Sequence, residues 1–344
     1  MSLPISFPLA PMLAKLQTEI PQGEGWLYEP KWDGFRAIVF RDGDSVEICS
    51  RDLRPLQRYF PEILPVLRAA LPDRCVVDGE LIVANEHGLD FDALQLRLHP
   101  AESRIRKLSG EIPSSYVAFD LIALGDDDLQ SSPFSRRREL LERYVQAGEA
   151  ETFNFLAKPS SSSQVYLTPQ TADAGEAARW FDELEAMHLE GIVAKRREQT
   201  YAPGDRTMVK VKHRRSVDCV IGGYRQDKNA VGLGSLLLGL YDAKGTLHYV
   251  GHTSSFSRRE GQAVLDKLAP LLGGESFGHG RSPGGLSRWS RPGTESNWVA
   301  VRPELVCEVS FDYLQGNRFR HAARFERWRD DKPPAECFFD QLGV

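Results

Sequence analysis

Arg215 divides the chain into two stretches of different texture. Before it, strand-like runs at 37–40, 46–48, 75–78, 116–121 and 191–195 mix with helix-like stretches at 63–70, 133–145 and 175–187. Apolar periods of two mixed with periods near 3.6 predict an α+β domain, a core sheet with helices around it. After Arg215 come short strands separated by turns, at 217–224, 235–241, 247–253 and 306–313, with one helix at 257–272. Short strands with a single helix suit a small OB-type barrel. Residues 273–297, rich in Gly, Ser and Arg, read as a long loop. With 344 residues the chain has room for two ordinary domains, expected at 1–212 and 213–344.

The composition, 41% hydrophobic and 26% charged, is that of a folded protein, and no apolar run approaches the roughly 18 residues of a membrane helix. The N-terminus carries Pro4, Pro8 and Pro11 and no basic region ahead of an apolar core, so it does not read as a secretory signal. The expected location is the cytoplasm. Cys49, Cys75, Cys219, Cys307 and Cys337 are widely spaced, with no CxxC pair, which argues against a disulfide framework or a zinc module. A net charge of −5 is not the excess of a protein held on nucleic acid by charge alone. The charge is instead segregated: Arg136-Arg137-Arg138, Lys195-Arg196-Arg197 and residues 210–215 are basic, and Asp126-Asp127-Asp128 is acidic.

Glu29-Pro30-Lys31-Trp32-Asp33-Gly34-Phe35-Arg36 sets a lysine beside a turn-forming Asp-Gly, with a second cation five residues on. Such a turn can present an amine to a phosphate. An attacking amine must be neutral, and nearby cations such as Arg36, another lysine or a bound metal are expected to depress the Lys31 pKa. The plain alternative is a surface lysine beside a hairpin. Taken singly, the later segments also have plain readings: Asp78 and Glu80 could cap a strand and turn, Phe119 could be core, and Lys210 and Lys212 could be one solvated strand face.

In order, these segments resemble the motifs of the covalent nucleotidyltransferase superfamily of ATP-dependent DNA ligases, RNA ligases and mRNA capping enzymes. Lys31 to Arg36 matches KxDGxR; Ser50-Arg51 with Phe60-Pro61-Glu62 resembles the next motif. Asp78-Gly79-Glu80-Leu81 matches DGEL, Phe119-Asp120-Leu121 resembles FDLL, and Glu190 to Lys195 matches EGIVAK. Lys210-Val211-Lys212 resembles the last motif of the catalytic domain, and Arg329-Asp330-Asp331-Lys332 the RxDK of the C-terminal domain. The resemblance implies a nucleotidyltransferase (adenylation) domain followed by an OB-fold β-barrel. It implies Lys31 as the nucleophile that carries AMP, Glu29 near the adenine amino group, and Arg36 and Arg51 as nucleotide contacts. It further implies Phe119 stacked on adenine, Glu80 on the ribose or on metal-bound water, Glu80 and Glu190 as the metal carboxylates, Lys210 and Lys212 on the α-phosphate, and Arg329 and Lys332 orienting pyrophosphate. ATP and Mg2+ or Mn2+ are the implied cofactors, which suits charge building on phosphate oxygens.

EPKWDGFRAIV and RWRDDKPP are most similar to the small stand-alone C-type DNA ligases of actinobacteria, over residues from about 11 to about 335. The implied activity is sealing of 3′-hydroxyl/5′-phosphate nicks in double-stranded DNA during repair, with the basic clusters on phosphates. A repair primase-polymerase is an implied partner; the protein is expected to act as a monomer, apart from membranes, and with the nucleoid when on DNA. The barrel departs from the related D-type pattern at His252-Thr253-Ser254-Ser255-Phe256, where GTGF is usual, and about thirty residues ahead of Lys31 leave no room for a separate N-terminal DNA-binding domain. A hinge is expected near 212–216. RNA ligase is the nearest alternative, ahead of a capping-type guanylyltransferase or a non-enzymatic OB protein.

Overall fold

Ala37 and Val39 enter one core while Ile38 and Phe40 enter another, the period of two of a strand buried on both faces. That strand lies at the centre of the first of two compact units, residues 1–213 and 214–344. The structure, a computed structural model, describes residues 3–145, 164–227, 232–254, 256–273, 276–277 and 298–342.

Two-residue pairings aside, the first unit contains β1 (Leu13–Gln17), β2 (Trp26–Lys31), β3 (Phe35–Asp42), β4 (Ser45–Ser50), β5 (Arg74–Ile82), β6 (Ser115–Leu124), β7 (Val165–Leu167), β8 (Gly191–Arg196) and β9 (Arg206–Lys212). Its helices are α1 (Ile63–Ala70), α2 (Phe91–Leu96), α3 (Glu102–Glu111), α4 (Phe134–Tyr144) and α5 (Ala174–Glu183). One sheet runs β1-β9-β8-β2 and a second β7-β6-β5-β3-β4. All neighbours are antiparallel except β1 with β9 and β7 with β6. Ile63 and Leu67 of α1 and Leu140 and Leu141 of α4 cover one face of the second sheet. Its other face, through Ile38, Phe40, Val76 and Ile122, packs on Met12, Tyr201 and Met208. Ala177 and Trp180 of α5, with Leu184, cover the outer face of the first sheet.

The second unit is a five-stranded antiparallel sheet, β12-β11-β10-β13-β14, from β10 (Arg215–Gln226), β11 (Leu233–Tyr241), β12 (Leu247–Thr253), β13 (Val306–Phe311) and β14 (Arg324–Trp328). Ala323, just before β14, donates its N–H to His252 O (2.9 Å) and bridges Thr253, so the outer strands meet and the sheet closes into a barrel. The helix α6 (Arg258–Leu268) contributes Val264 and Leu268 to the barrel core, and Ser257 with Glu260 forms a capping box at its start. The architecture is α+β with a terminal barrel, as the sequence texture predicts.

The differences are local. The helix expected to 187 ends at Glu183, and a 3-10 turn, Leu184–Met187, carries the chain to His188 at φ 62°. That expected to 272 ends at Leu268, where Pro270 forces a 3-10 turn. Most of the expected loop at 273–297 lies outside the described residues. All five cysteines are free and buried. No helix among the described residues is long and apolar enough to cross a membrane.

Candidate active site

Strand parity builds the site. Tyr28 on β2, Ile192 and Ala194 on β8, and Val209 and Val211 on β9 pack beneath α5. The residues between them, Glu29, Lys31, Lys195, Lys210 and Lys212, therefore take the opposite face of the sheet. Lys31 is the last residue of β2, not a turn residue; the Asp-Gly turn follows it. It stands opposite Gly191, which stands opposite Lys212.

Glu190 donates its backbone N–H to Lys31 O (2.9 Å), and its carboxylate is shared by Lys31 Nζ, in close contact, and Lys212 Nζ at 3.0 Å. Gly191 makes this crossing possible: its φ is +138°, and a Cβ would lie 2.1 Å from Val211 O.

The charges correct one expectation. Burial disfavours the Lys31 ammonium, but Glu190 and then Glu80 outweigh it and hold the amine above the ordinary lysine value. The depressed lysine is Lys210, brought down to about 8 by burial, then by Lys31 and Lys212. Burial likewise pushes Glu80 up to about 7 despite Lys31 and Arg36, with the Glu190 charge adding to the rise. Glu190 goes the other way: burial opposes its charge, yet Lys31 and Lys212 hold it well below the carboxylate range.

A second cluster surrounds Phe119. Glu29 is buried; its carboxylate meets Lys195 Nζ at 2.7 Å, accepts from Gln170 Nε2 at 2.9 Å and lies 3.9 Å from Arg138 Nη1. Lys195 Nζ lies 4.7 Å and Arg36 Cζ 4.5 Å from the Phe119 ring centroid. Phe119 is only 7% exposed, so the expected stacking platform is largely covered by two cations. Arg36 is fixed in turn. Its Nε and Nη2 donate to Asp78 at 2.6 and 2.5 Å, Nη2 also reaches Met12 O at 3.3 Å, and Tyr201 donates its hydroxyl to Asp78 at 2.6 Å.

Arg51 is exposed on the turn after β4, within electrostatic reach of Lys210. Arg329 and Lys332 lie in the second unit, both bound to Asp218: Arg329 Nη1 at 2.9 and 2.8 Å, and Lys332 Nζ at 2.9 Å. The basic clusters are not uniform surface. Arg137 is fully buried on Asp120, Arg138 is nearly so, and Lys195 is 2% exposed, so these three are structural cations rather than phosphate contacts.

No group of three or more His, Cys, Asp or Glu side chains fit to hold a metal occurs among the described residues. Glu80 and Glu190, which repel one another beside Lys31, nonetheless suit a hard divalent ion that keeps most of its waters and needs one or two carboxylates. Sequence reasoning misses Gln170, Tyr201 and Asp218 and gives no site role to Asp78 or Lys195, although the DGEL and EGIVAK matches that contain these two are signals that point to them.

Fold and geometry thus define a two-unit protein whose α+β part gathers amines and carboxylates around one lysine, followed by a barrel. The ATP dependent DNA ligase domain model matches residues 11–212, and the ATP dependent DNA ligase C terminal region model matches 229–332. The chain belongs to the family of ATP-dependent DNA ligases. It is 47% identical to DNA ligase C of Mycobacterium tuberculosis, over 99% of this chain and 96% of that protein. It is 45% identical to DNA ligase C2 of Mycolicibacterium smegmatis, with the same coverage. A solved Lig E DNA ligase shares the fold, with a TM-score of 0.56 at 16% identity over 93% of this chain and all of that one. The RNA ligase and guanylyltransferase alternatives are not favoured by these relatives, and DNA is the substrate class that the family implies.

Proposed function

We propose that the chain seals 3′-hydroxyl/5′-phosphate nicks in double-stranded DNA in three steps, with Lys31 carrying AMP. The observation that supports this most is the one sheet face that holds Lys31, Lys210 and Lys212 beside Glu190 and Glu80. In the first step the neutral Lys31 amine attacks the α-phosphorus of ATP; an N–P bond forms and the bond to pyrophosphate breaks. Because an ammonium has no lone pair, Lys31 must first leave its Glu190 ion pair and pass a proton to solvent, and the attacking nitrogen sheds a second proton as the N–P bond forms. Lys210 and Lys212 stabilise charge on the α-phosphate, and Arg329 and Lys332 orient the pyrophosphate. Phe119 with Arg36 forms one wall for the nucleotide, Glu29 meets the adenine amino group, and Arg51 lies at the rim. A Mg2+ or Mn2+ ion, which Glu80 and Glu190 would hold, supplies neutralisation of phosphate charge. AMP then passes to the 5′-phosphate as the N–P bond breaks, and the 3′-hydroxyl displaces it.

Relatives at 30% identity are named as non-homologous end joining DNA repair proteins, which supports a role in repair. Work in the cytoplasm on nucleoid DNA, as a monomer and beside a repair primase-polymerase, belongs to the same proposal, as does a boundary between adenylation and OB-fold domains at 212/213. The test is sealing of a singly nicked 5′-phosphorylated duplex in magnesium with ATP, GTP or NAD, by the native protein and Lys31→Ala. Sealing with ATP alone, abolished in the variant, is expected. A native protein that forms no lysyl adenylate overturns the reading.

A further inference from the structure

Gln170 is held beside Glu29 by a short piece of backbone that belongs to none of the motifs. Tyr28 of β2 and Thr171 exchange both backbone hydrogen bonds, Tyr28 N to Thr171 O at 2.8 Å and Thr171 N to Tyr28 O at 3.0 Å. This antiparallel bridge brings Gln170 alongside Glu29, on the sheet face that also carries Lys31. The segment is fastened on both sides of Gln170. Thr168 donates its N–H to Ala118 O at 2.9 Å, and its carbonyl accepts from the buried Arg138 Nη2 at 2.8 Å. Its hydroxyl accepts from Trp32 Nε1 at 2.9 Å, and Thr171 donates its own hydroxyl to Glu176 at 2.6 Å. Gln170 itself is partly exposed, so a ligand can reach it.

The Gln170 amide has one workable orientation. A carboxylate oxygen can only accept, so Glu29 Oε1 takes the Gln170 Nε2 hydrogen at 2.9 Å, while Lys195 Nζ holds Glu29 Oε2 at 2.7 Å. Turning the amide over would set its oxygen against that carboxylate. Gln170 therefore presents Oε1 as a fixed acceptor, and this atom has no partner among the described residues. Two acceptors side by side suit a group with two hydrogens, such as the amine on C6 of adenine; the carbonyl that guanine carries there would be a third acceptor facing them. We infer that Gln170 reads the base of the nucleotide, its Oε1 accepting one hydrogen of the adenine amine while Glu29 accepts the other. This rests on the ligase reading above, in which Glu29 meets that amine, and adds the second residue that selects ATP.

The test follows formation of the covalent lysyl nucleotide by full-length protein from ATP and from purine riboside triphosphate, the same nucleotide with hydrogen in place of the amine. Native protein should favour ATP by more than about tenfold in kcat/KM, the size of two hydrogen bonds. In Gln170→Leu that ratio should shrink by about fivefold through a loss on ATP, as one acceptor is removed. Gln170→Met, of similar length and also without an acceptor, should give the same ratio and decides the matter if the leucine variant does not fold. A structural role for Gln170 would instead slow both nucleotides together and leave the ratio at its native value. That result, or a native protein that uses the two nucleotides equally, overturns the inference and leaves the ligase reading intact; a native protein that forms the lysyl nucleotide from neither overturns both.

Discussion

Lys31 must lose a proton before it can attack, and its nearest neighbour is a carboxylate that keeps the proton on. Because its pKa is raised, the neutral fraction grows with pH throughout the neutral range. The rate of adenylate formation at saturating ATP should therefore climb between pH 7 and 9; a flat profile measured by quench-flow would mean that another step governs the rate. Glu80 makes a separate prediction. Its folded-state value of about 7 exceeds its ordinary 4.5, so the folded protein binds the extra proton between these limits. Stability without ligands should then fall as pH rises through that window and level off above it. Glu80→Gln should remove that part of the pH dependence in denaturant melts; an unchanged curve would place its source elsewhere.

At the level of elements, strands buried on both faces were legible from their apolar runs, as at 37–40 and 75–78. The strands that present the chemistry were not. β2 reads Trp-Leu-Tyr-Glu-Pro-Lys; its charges mask alternation, and its proline is tolerated because β2 is the last strand on that sheet path. β9 alternates valines with lysines, which could equally be a solvated face until its register with β8 sets Lys212 beside Glu190. Motif order picked out Lys31, Glu80, Glu190, Lys210 and Lys212, which the structure brings together, but Lys195 beneath Phe119 and Tyr201 on Asp78 depend on pairings 76 and 123 residues apart that no local pattern encodes. The Arg36–Asp78 pair ties β3 to β5 in the buried wall of the site. Asp78→Asn leaves Arg36 without its counter-charge and should cost about 3–5 kcal/mol in chemical denaturation. A loss below about 1 kcal/mol would show that Tyr201 and Met12 suffice to hold the guanidinium.

For the whole molecule, the assignment of Arg329 and Lys332 to the first step separates the partial reactions. Arg329→Ala should slow adenylation of Lys31 by about 10²-fold, yet seal a chemically pre-adenylated nick within about threefold of native. Equal losses in both assays would give Arg329 a folding role through Asp218 instead. The sheet order bears also on the birth of the protein. Lys31 ends β2, whose sheet neighbour β8 begins at Gly191, while β1 pairs with β9, which ends only at Lys212. At about 5–20 residues per second the ribosome needs roughly 10–40 s between making the lysine and making the strands that complete its sheet. Through that interval the N-terminal strands wait unpaired on their open edges, so slow translation or a stall before 212 should expose this chain to chaperones and proteases more than its finished stability suggests.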